Sequence, residues 1–226
     1  MNKLLLLTAS ILFVSASTYQ VKKGDLNKDV ELVTSKGTMV IRLSDSTPLH
    51  RDNFLKLVNQ HFYDGILFHR VIPQFMVQAG DPKSKTAKPG EAIGQGSPGY
   101  AVPAEFCPAS LFHKKGALAA ARTPDEINPT KESNGSQFYL VHGRVYSEED
   151  LNQVEARLNG YKIPAAHREV YKTLGGTPSL DSKYTVFGEV IKGIEVIDSI
   201  AAVTTGERNR PVEDVRIIKA TLIKRQ

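Results

Sequence analysis

Hydrophobic and polar residues alternate along residues 30–43, on either side of the turn-forming tripeptide Ser-Lys-Gly at 35–37. A period of two is typical of half-buried strands, so this segment predicts a β-hairpin. The spacing then becomes helical, with Thr47 as N-cap and Pro48 at the first helical position. The apolar residues that recur at this spacing are Phe54, Leu57 and Val58. A helix packed on a core is therefore expected after the hairpin.

The stretch 65–81, GILFHRVIPQFMVQAGD, places Arg70 among apolar residues. One alternating strand cannot bury all of these on one face, so Pro73 predicts a turn between two short strands. Arg70 would lie near a strand end. An arginine in a strand more often reaches solvent or pairs with a carboxylate, and that alternative stays open from these residues alone.

Two later stretches also have strand patterns. In NGSQFYLVHG, residues 134–143, a turn signal precedes a strand in which Gln137, Tyr139 and Val141 share one face. LDSKYTVFGEV, residues 180–190, alternates as a half-buried strand does. An amide and an aromatic ring are thus expected to point the same way.

Between these stretches lie a long loop and a run of small residues. Residues 82–99 contain four glycines and three prolines and predict a loop. GALAAAR, residues 116–122, is too short for a good helix and predicts a strand. Its small side chains leave room for another chain beside it, and tight packing of this strand in a core is compatible with that.

Residues 144–178 predict two helices. Ser147 and Asp150 have capping-box spacing, with apolar residues recurring on one face before Gly160. A second helix is expected over 164–174. This hairpin either decorates the fold or contacts a substrate or partner, and the sequence does not favour one alternative. A last helix and a last strand are expected over 193–203 and 215–224.

Composition and the amino terminus bound the remaining possibilities. The 226 residues are 41% hydrophobic and carry a formal charge of +5, spread along the chain, which predicts one domain without a nucleic-acid surface. Residues 1–16 combine Lys3, an apolar run over 4–14 and small residues, the pattern of a secretory signal. We expect export, to the periplasm if the source is Gram-negative, and no stable membrane insertion once the signal is removed.

Other enzyme classes lack their motifs in this sequence. Its six histidines and Cys107 show no metal-ligand spacing, so no metal or other cofactor is expected. A Gly-x-Ser-x-Gly nucleophile elbow is absent, and Cys107 has no evident catalytic partner.

FHRVIPQFMVQAGDP, NGSQFYLV and YTVFGEV, beginning at residues 68, 134 and 184, together resemble the cyclophilin family of peptidyl-prolyl cis-trans isomerases. The resemblance runs from about Val30 to Ile223. It implies a mainly β fold, a closed eight-stranded antiparallel β-barrel capped by two α-helices, with 144–178 as an inserted helical hairpin. The domain would span 29–226, after a short segment over 17–28.

The resemblance also implies a site. By position, the catalytic arginine is Arg70 and Ala121 lines the groove. The remaining substrate-binding residues would be Phe75, Met76, Gln78, Gln137, Tyr139, Leu180 and Tyr184. The sequence departs from the family pattern at Tyr139 (usually Phe in animal members), Ser179 (usually Trp), Tyr184 (usually His) and Arg122 (usually Asn). The rim of the pocket is therefore expected to differ.

The implied activity is rotation about X-Pro bonds in exported or unfolded proteins, which assists folding. A guanidinium aimed at the prolyl nitrogen can attract its lone pair as the amide twists. The partners would be proline-containing polypeptides, and we expect a monomer. The alternative is a non-catalytic proline-peptide-binding chaperone that uses the same groove.

Overall fold

The computed structural model describes residues 21–107, 109–158 and 160–225. The signal predicted at 1–16 and residues 17–20 of the following segment lie outside these ranges. The strands are β1 (Lys28–Thr34), β2 (Gly37–Leu43), β3 (Arg70–Ile72), β4 (Met76–Ala79), β5 (Ala101–Val102), β6 (Ala117–Ala120), β7 (Ser133–Asn134), β8 (Phe138–Val141), β9 (Val186–Lys192) and β10 (Ile217–Lys224). The α-helices are α1 (Pro48–Asn59), α2 (Glu148–Glu155), α3 (Ala165–Thr173) and α4 (Glu195–Ala201).

Eight strands form one curled antiparallel sheet in the order β10-β1-β2-β9-β6-β8-β4-β3, and β5 pairs separately with β7. The predicted hairpin is β1–β2, in the register Val30 to Ile41. Pro73 turns the chain between β3 and β4, so the prediction of two short strands there is confirmed.

The predicted closed barrel is not confirmed, because the sheet has two ends, β10 and β3. β3 has three residues before the turn at Pro73, too few to form a full ladder with β10. The chain just before each strand makes a partial closure instead. Leu67 and Arg216 form an isolated bridge, and the Phe68 N–H donates to the Val215 carbonyl at 2.8 Å.

The two faces of the central strands bury different clusters. Side chains alternate along a strand, and so Val77, Phe138 and Leu118 enter the main core while Met76, Tyr139 and Ala119 point to the opposite face. β6 is fully buried along its length, which confirms the tightly packed alternative for Ala117–Ala120. The second face carries the predicted site residues.

Helices α1 and α4 cover the main core, as the two capping helices were expected to do. Phe54 of α1 packs its ring 5.4 Å from that of Phe138 and 5.6 Å from that of Phe187. α4 contributes Ile197 and Ile200, both fully buried. In the described part of the chain, no helix is long and apolar enough to cross a membrane.

The inserted hairpin consists of α2 and α3. Ser147 and Asp150 form the predicted capping box, with the Asp150 N–H donating to Ser147 Oγ at 3.0 Å. The helices bury a small cluster centred on Leu151, Ile163 and Tyr171. The predicted helical hairpin is therefore present.

Candidate active site

The site begins with a row of residues across four neighbouring strands. Arg70 of β3 lies opposite Gln78 of β4, and Gln78 lies opposite Tyr139 of β8. Tyr139 in turn faces Ala119 of β6. Directly opposed residues of antiparallel strands share one face of the sheet. The backbone register alone therefore brings a guanidinium, an amide and an aromatic ring together.

A cavity of about 100 Å³ opens on this row. It is lined by Arg70, Phe75, Met76, Gln78, Ala121, Arg122, Tyr139, Leu180 and Tyr184. Every site residue predicted from the sequence is in this set except Gln137. Gln137 does not line this cavity but accepts a hydrogen bond from Gln78. The structure thus joins residues that are more than 100 positions apart in the chain.

Arg70 lies at the edge of the cavity and is half-buried. Its Nη1 is 3.4 Å from Gln78 Oε1 and 4.0 Å from Met76 Sδ, and its guanidinium lies 6.0 Å from the Phe75 ring centre. Among the described residues no carboxylate forms an ion pair with it, so the carboxylate-paired alternative is not found. Burial lowers the pKa of Arg70 from its ordinary value, yet arginine keeps its charge in proteins.

Two glutamines orient each other beside this cation. Gln78 Nε2 donates to Gln137 Oε1 at 2.9 Å, which leaves Gln78 Oε1 to face Arg70. Gln137 Nε2 donates onward to the carbonyls of Gly94 and Gly96, at 3.1 and 2.7 Å. The loop over 82–99 therefore forms part of the site.

Asp81 organises that loop and was missed from the sequence. Its buried carboxylate accepts the N–H groups of Lys83, Gly94 and Gly96. A Cβ on Gly96 would come within 1.9 Å of Asp81 Oδ1, so glycine is required there. Because the contact joins residues far apart within a loop, no local pattern predicts it.

A hydrogen-bond chain beneath Tyr139 was also missed. Tyr139 Oη lies 2.9 Å from His113 Nε2, and His113 Nδ1 lies 2.9 Å from Asp181 Oδ1. Asp181 Oδ2 accepts from Tyr171 Oη of α3 at 2.7 Å. Burial raises the pKa of Tyr139 well above its ordinary value, so its hydroxyl stays protonated. The sequence feature that could have indicated this chain is Tyr139, because animal members of the family usually have phenylalanine at this position.

At the rim of the cavity, the residues that differ from the family pattern contact one another. The Arg122 guanidinium lies 4.5 Å from the ring centre of Tyr184, within cation–π range. Tyr184 meets Tyr139 edge to face, with ring centres 6.0 Å apart. Ser179 is exposed and does not line the cavity. Arg122, Tyr184 and Tyr139 therefore form one connected part of the rim.

His69 is buried and packs against Gly94, on the side of the loop. It is not among the residues that line the cavity. Burial lowers its pKa to about 4, so the ring is neutral above pH 5. His69 directly precedes β3, and successive residues of an extended chain point to opposite faces, which explains why the side chains of His69 and Arg70 separate.

Comparison with known proteins identifies the family of this chain. The family model for cyclophilin type peptidyl-prolyl cis-trans isomerases matches residues 29–222. The chain belongs to the cyclophilin family. A Staphylococcus haemolyticus protein named as a peptidyl-prolyl cis-trans isomerase is 38% identical over 200 residues, covering 85% of this chain and 93% of the relative. A Staphylococcus aureus protein of the same name is 36% identical and covers 88% and 92%. The prediction of a cyclophilin-type isomerase is confirmed.

A solved cyclophilin supports the fold. The crystal structure of a Cryptosporidium parvum cyclophilin type isomerase superposes with a TM-score of 0.61 at 22% identity, covering 87% of this chain and 97% of that one. A second structure of it was determined in the presence of the dipeptide Ala-Pro. Across the described residues of this cyclophilin, no three His, Cys, Asp or Glu side chains group as metal ligands would.

Proposed function

We propose that this cyclophilin accelerates X-Pro rotation with Arg70 as its catalytic residue, and that it thereby assists the folding of exported or unfolded polypeptides. One observation carries the assignment: a half-buried guanidinium without an ion pair among the described residues borders a small cavity that has apolar side chains on its other walls. A cation that only stabilised the fold would be expected to pair with a carboxylate.

The cavity suits a proline ring. Phe75, Met76, Leu180 and the ring of Tyr139 supply apolar walls, and about 100 Å³ is a volume for one small group. With the ring held, the guanidinium can stabilise the prolyl nitrogen lone pair as the amide twists. The uncatalysed barrier is about 20 kcal/mol. An acceleration of 10⁵ requires about 7 kcal/mol of selective stabilisation, and no covalent bond is broken.

The surroundings of the cavity favour an extended polypeptide over a small molecule. A larger cavity of about 560 Å³ shares Gln78, Ala121 and Arg122 with it. Another, of about 920 Å³, shares Arg70 and Gln78 and extends between 89–95 and 206–212. A chain could therefore continue on both sides of its proline. We propose proline-containing polypeptides as substrates of this protein.

Location and assembly state are proposed from the sequence. The pattern at residues 1–16 supports export, and a periplasmic location in a Gram-negative source. Cell fractionation with an antibody to the mature domain tests this, and retention in the cytoplasm would contradict it. We propose a monomer, which light scattering on the purified protein would check.

The decisive experiment replaces Arg70 by alanine. We expect kcat/KM on a proline tetrapeptide to fall roughly 10²- to 10³-fold, the size typical of losing one transition-state donor. Peptide affinity, measured by calorimetry, should change much less, because the apolar walls remain. Equal losses in rate and affinity would favour the non-catalytic chaperone instead.

Arg157→Ala is the matched control. Arg157 follows α2, is exposed and does not line the cavity. The substitution therefore removes the same charge at a position away from the site. It should leave both rate and affinity unchanged. A comparable loss in this variant would show that net charge, and not the position of Arg70, governs activity.

A further inference from the structure

We propose that the helical insertion is a positioning element of the proline pocket, in which Tyr171 of α3 holds the ring of Tyr139 in place through Asp181 and His113. This inference rests on the proposed function, since it takes Tyr139 as a wall of that pocket. Tyr171 itself does not line the cavity.

Asp181 is the centre of the arrangement. It is 2% exposed, and its carboxylate accepts three hydrogen bonds: from the His113 N–H at 2.9 Å, from His113 Nδ1 at 2.9 Å and from Tyr171 Oη at 2.7 Å. A carboxylate removed from water requires such donors, and bonds to a charged acceptor are the strong ones. Tyr171 supplies the donor on Oδ2.

The contact with Asp181 favours one tautomer of the imidazole. Nδ1 faces the Asp181 carboxylate, and in the Nδ1–H tautomer the acceptor nitrogen of His113 is Nε2. Nε2 lies 2.9 Å from Tyr139 Oη, and in this tautomer Tyr139 is the donor. His113 is 1% exposed and Tyr139 is 4% exposed, so water does not substitute easily for either partner. The Tyr139 hydroxyl is held toward His113.

The insertion packs against the rest of the domain close to His113 and Asp181. Its carboxyl end pairs with the segment that carries His113, since the Thr177 N–H donates to the His113 carbonyl at 2.8 Å. Phe112 stacks on His167 of α3 with ring centres 3.7 Å apart, and it meets Tyr171 edge to face at 5.5 Å. Tyr171 is fully buried at this junction. The hairpin thus places the Tyr171 hydroxyl behind the pocket, beside Asp181.

The other pocket wall near the insertion does not need that hydroxyl. Leu180 lies in a short 3-10 turn whose own backbone bonds hold it, including the Leu180 N–H to the Thr177 carbonyl at 3.1 Å. Loss of the Tyr171 hydroxyl should therefore act on the pocket through Tyr139. This makes a double-mutant cycle between Tyr171 and Tyr139 the sharpest test.

The cycle compares Tyr171→Phe, Tyr139→Phe and the double variant on one proline tetrapeptide. Each single variant is expected to lower kcat/KM about fivefold, mainly by raising KM, because a loosened wall weakens ground-state and transition-state binding alike. The double variant should fall no further than the singles, since both substitutions break the same chain. A product of two separate losses, near 25-fold, would overturn the inference and assign Tyr171 a merely structural role.

Tyr146→Phe is the control. Tyr146 packs on Tyr171 with ring centres 6.3 Å apart, and none of its hydrogen bonds among the described residues reaches Asp181. It should leave kcat and KM unchanged. Arg70→Ala is measured in parallel: if it is inactive while Tyr171→Phe matches the wild type, this inference fails and the proposed function stands. Full activity in Arg70→Ala would contradict the proposed function alone.

A measurement without turnover completes the test. Long-range ¹⁵N–¹H spectra of the wild type should show His113 as the Nδ1–H tautomer, and Tyr139→Phe should shift its Nε2 signal. The Tyr171 hydroxyl proton should exchange slowly with water. An Nε2–H tautomer or a rapidly exchanging hydroxyl would refute the chain even if Tyr171→Phe did not fold.

Discussion

The groove and the helical insertion are stabilised in different ways. In the groove, Arg70, Gln78 and Tyr139 stand in one row because neighbouring strands fix their register. In the insertion, two short helices share a small apolar cluster centred on Leu151 and Tyr171. The register of the strands is fixed by pairing along the whole sheet, whereas the packing of the insertion depends on a few local contacts.

Arg168 shows how local those contacts are. It donates to Glu148 Oε1 at 2.8 Å, Glu155 Oε1 at 2.9 Å and Asn152 Oδ1 at 2.7 Å, and so ties α3 to α2. None of these partners touches the groove. We therefore expect most substitutions in the insertion to affect only the insertion, whereas substitutions of Asp181 should affect both regions.

The largest effect is expected at that shared residue. Asp181→Ala leaves the buried donors of His113 and Tyr171 without their acceptor, and breaking a buried network of this kind costs about 3 to 5 kcal/mol. Urea unfolding of the mature protein measures this loss. Asp125→Ala removes an exposed carboxylate beside Arg122 and should barely move the midpoint. Equal midpoints for the two variants would contradict a central role for Asp181.

A second prediction concerns Ser179, where the insertion meets the groove. In the family, a tryptophan at this position donates a hydrogen bond to the cyclic peptide cyclosporin, and Ser179 has neither the reach nor the apolar area. We expect weak inhibition, and Ser179→Trp should tighten cyclosporin binding about tenfold or more, the equivalent of one hydrogen bond. The isomerase rate should change little. Nanomolar inhibition of the unmodified protein would rule this out.

A smaller effect is expected inside the insertion. Arg168→Ala removes the ties between α2 and α3 and should lower the melting temperature by about 2–4 °C. Its kcat/KM should stay within about twofold, because the bond from Tyr171 to Asp181 does not involve Arg168. Calorimetry and the peptide assay test both parts. A large loss of activity with a small loss of stability would show a second route from the insertion to the groove.

The smallest effect is expected from pH. Between about pH 5.5 and 8.5 the rate should be nearly flat, since Arg70 stays charged and the proposed mechanism transfers no proton. His69→Gln should have the same profile, because the pKa of His69 is already lowered to about 4 by burial. A step near pH 6.5 that this variant abolishes would place His69 in the mechanism.

The same pKa has a consequence for stability, with a definite sign. As pH falls from about 6.5 toward 4, unfolded His69 binds a proton that the folded state still refuses, so stability decreases. His69→Gln should remove that part of the slope. Urea midpoints at pH 6.5 and 4.5, compared between the two proteins, provide the check.

Sequence reasoning reached the strands and the pocket because both are encoded in continuous stretches. Alternation predicts which residues share a face, and the row from Arg70 to Tyr139 follows once those strands pair. The chain through His113 and Asp181 could not be predicted, since each residue looks ordinary in its own segment. The contact between Arg122 and Tyr184 joins two loops. Barrel closure could not be decided from the sequence, because closure depends on a three-residue strand and one bridge.

The pairing of β1 with β10 joins the first and last strands of the domain, in the register Val30 to Leu222. Contacts between distant segments form slowly, because a long loop must close before they stabilise anything. Until the residues of β10 are available for pairing, β1 therefore has one edge unpaired. A stop codon just before Ile217 would leave that edge open, turning a loss of eight terminal strand residues into a risk of aggregation.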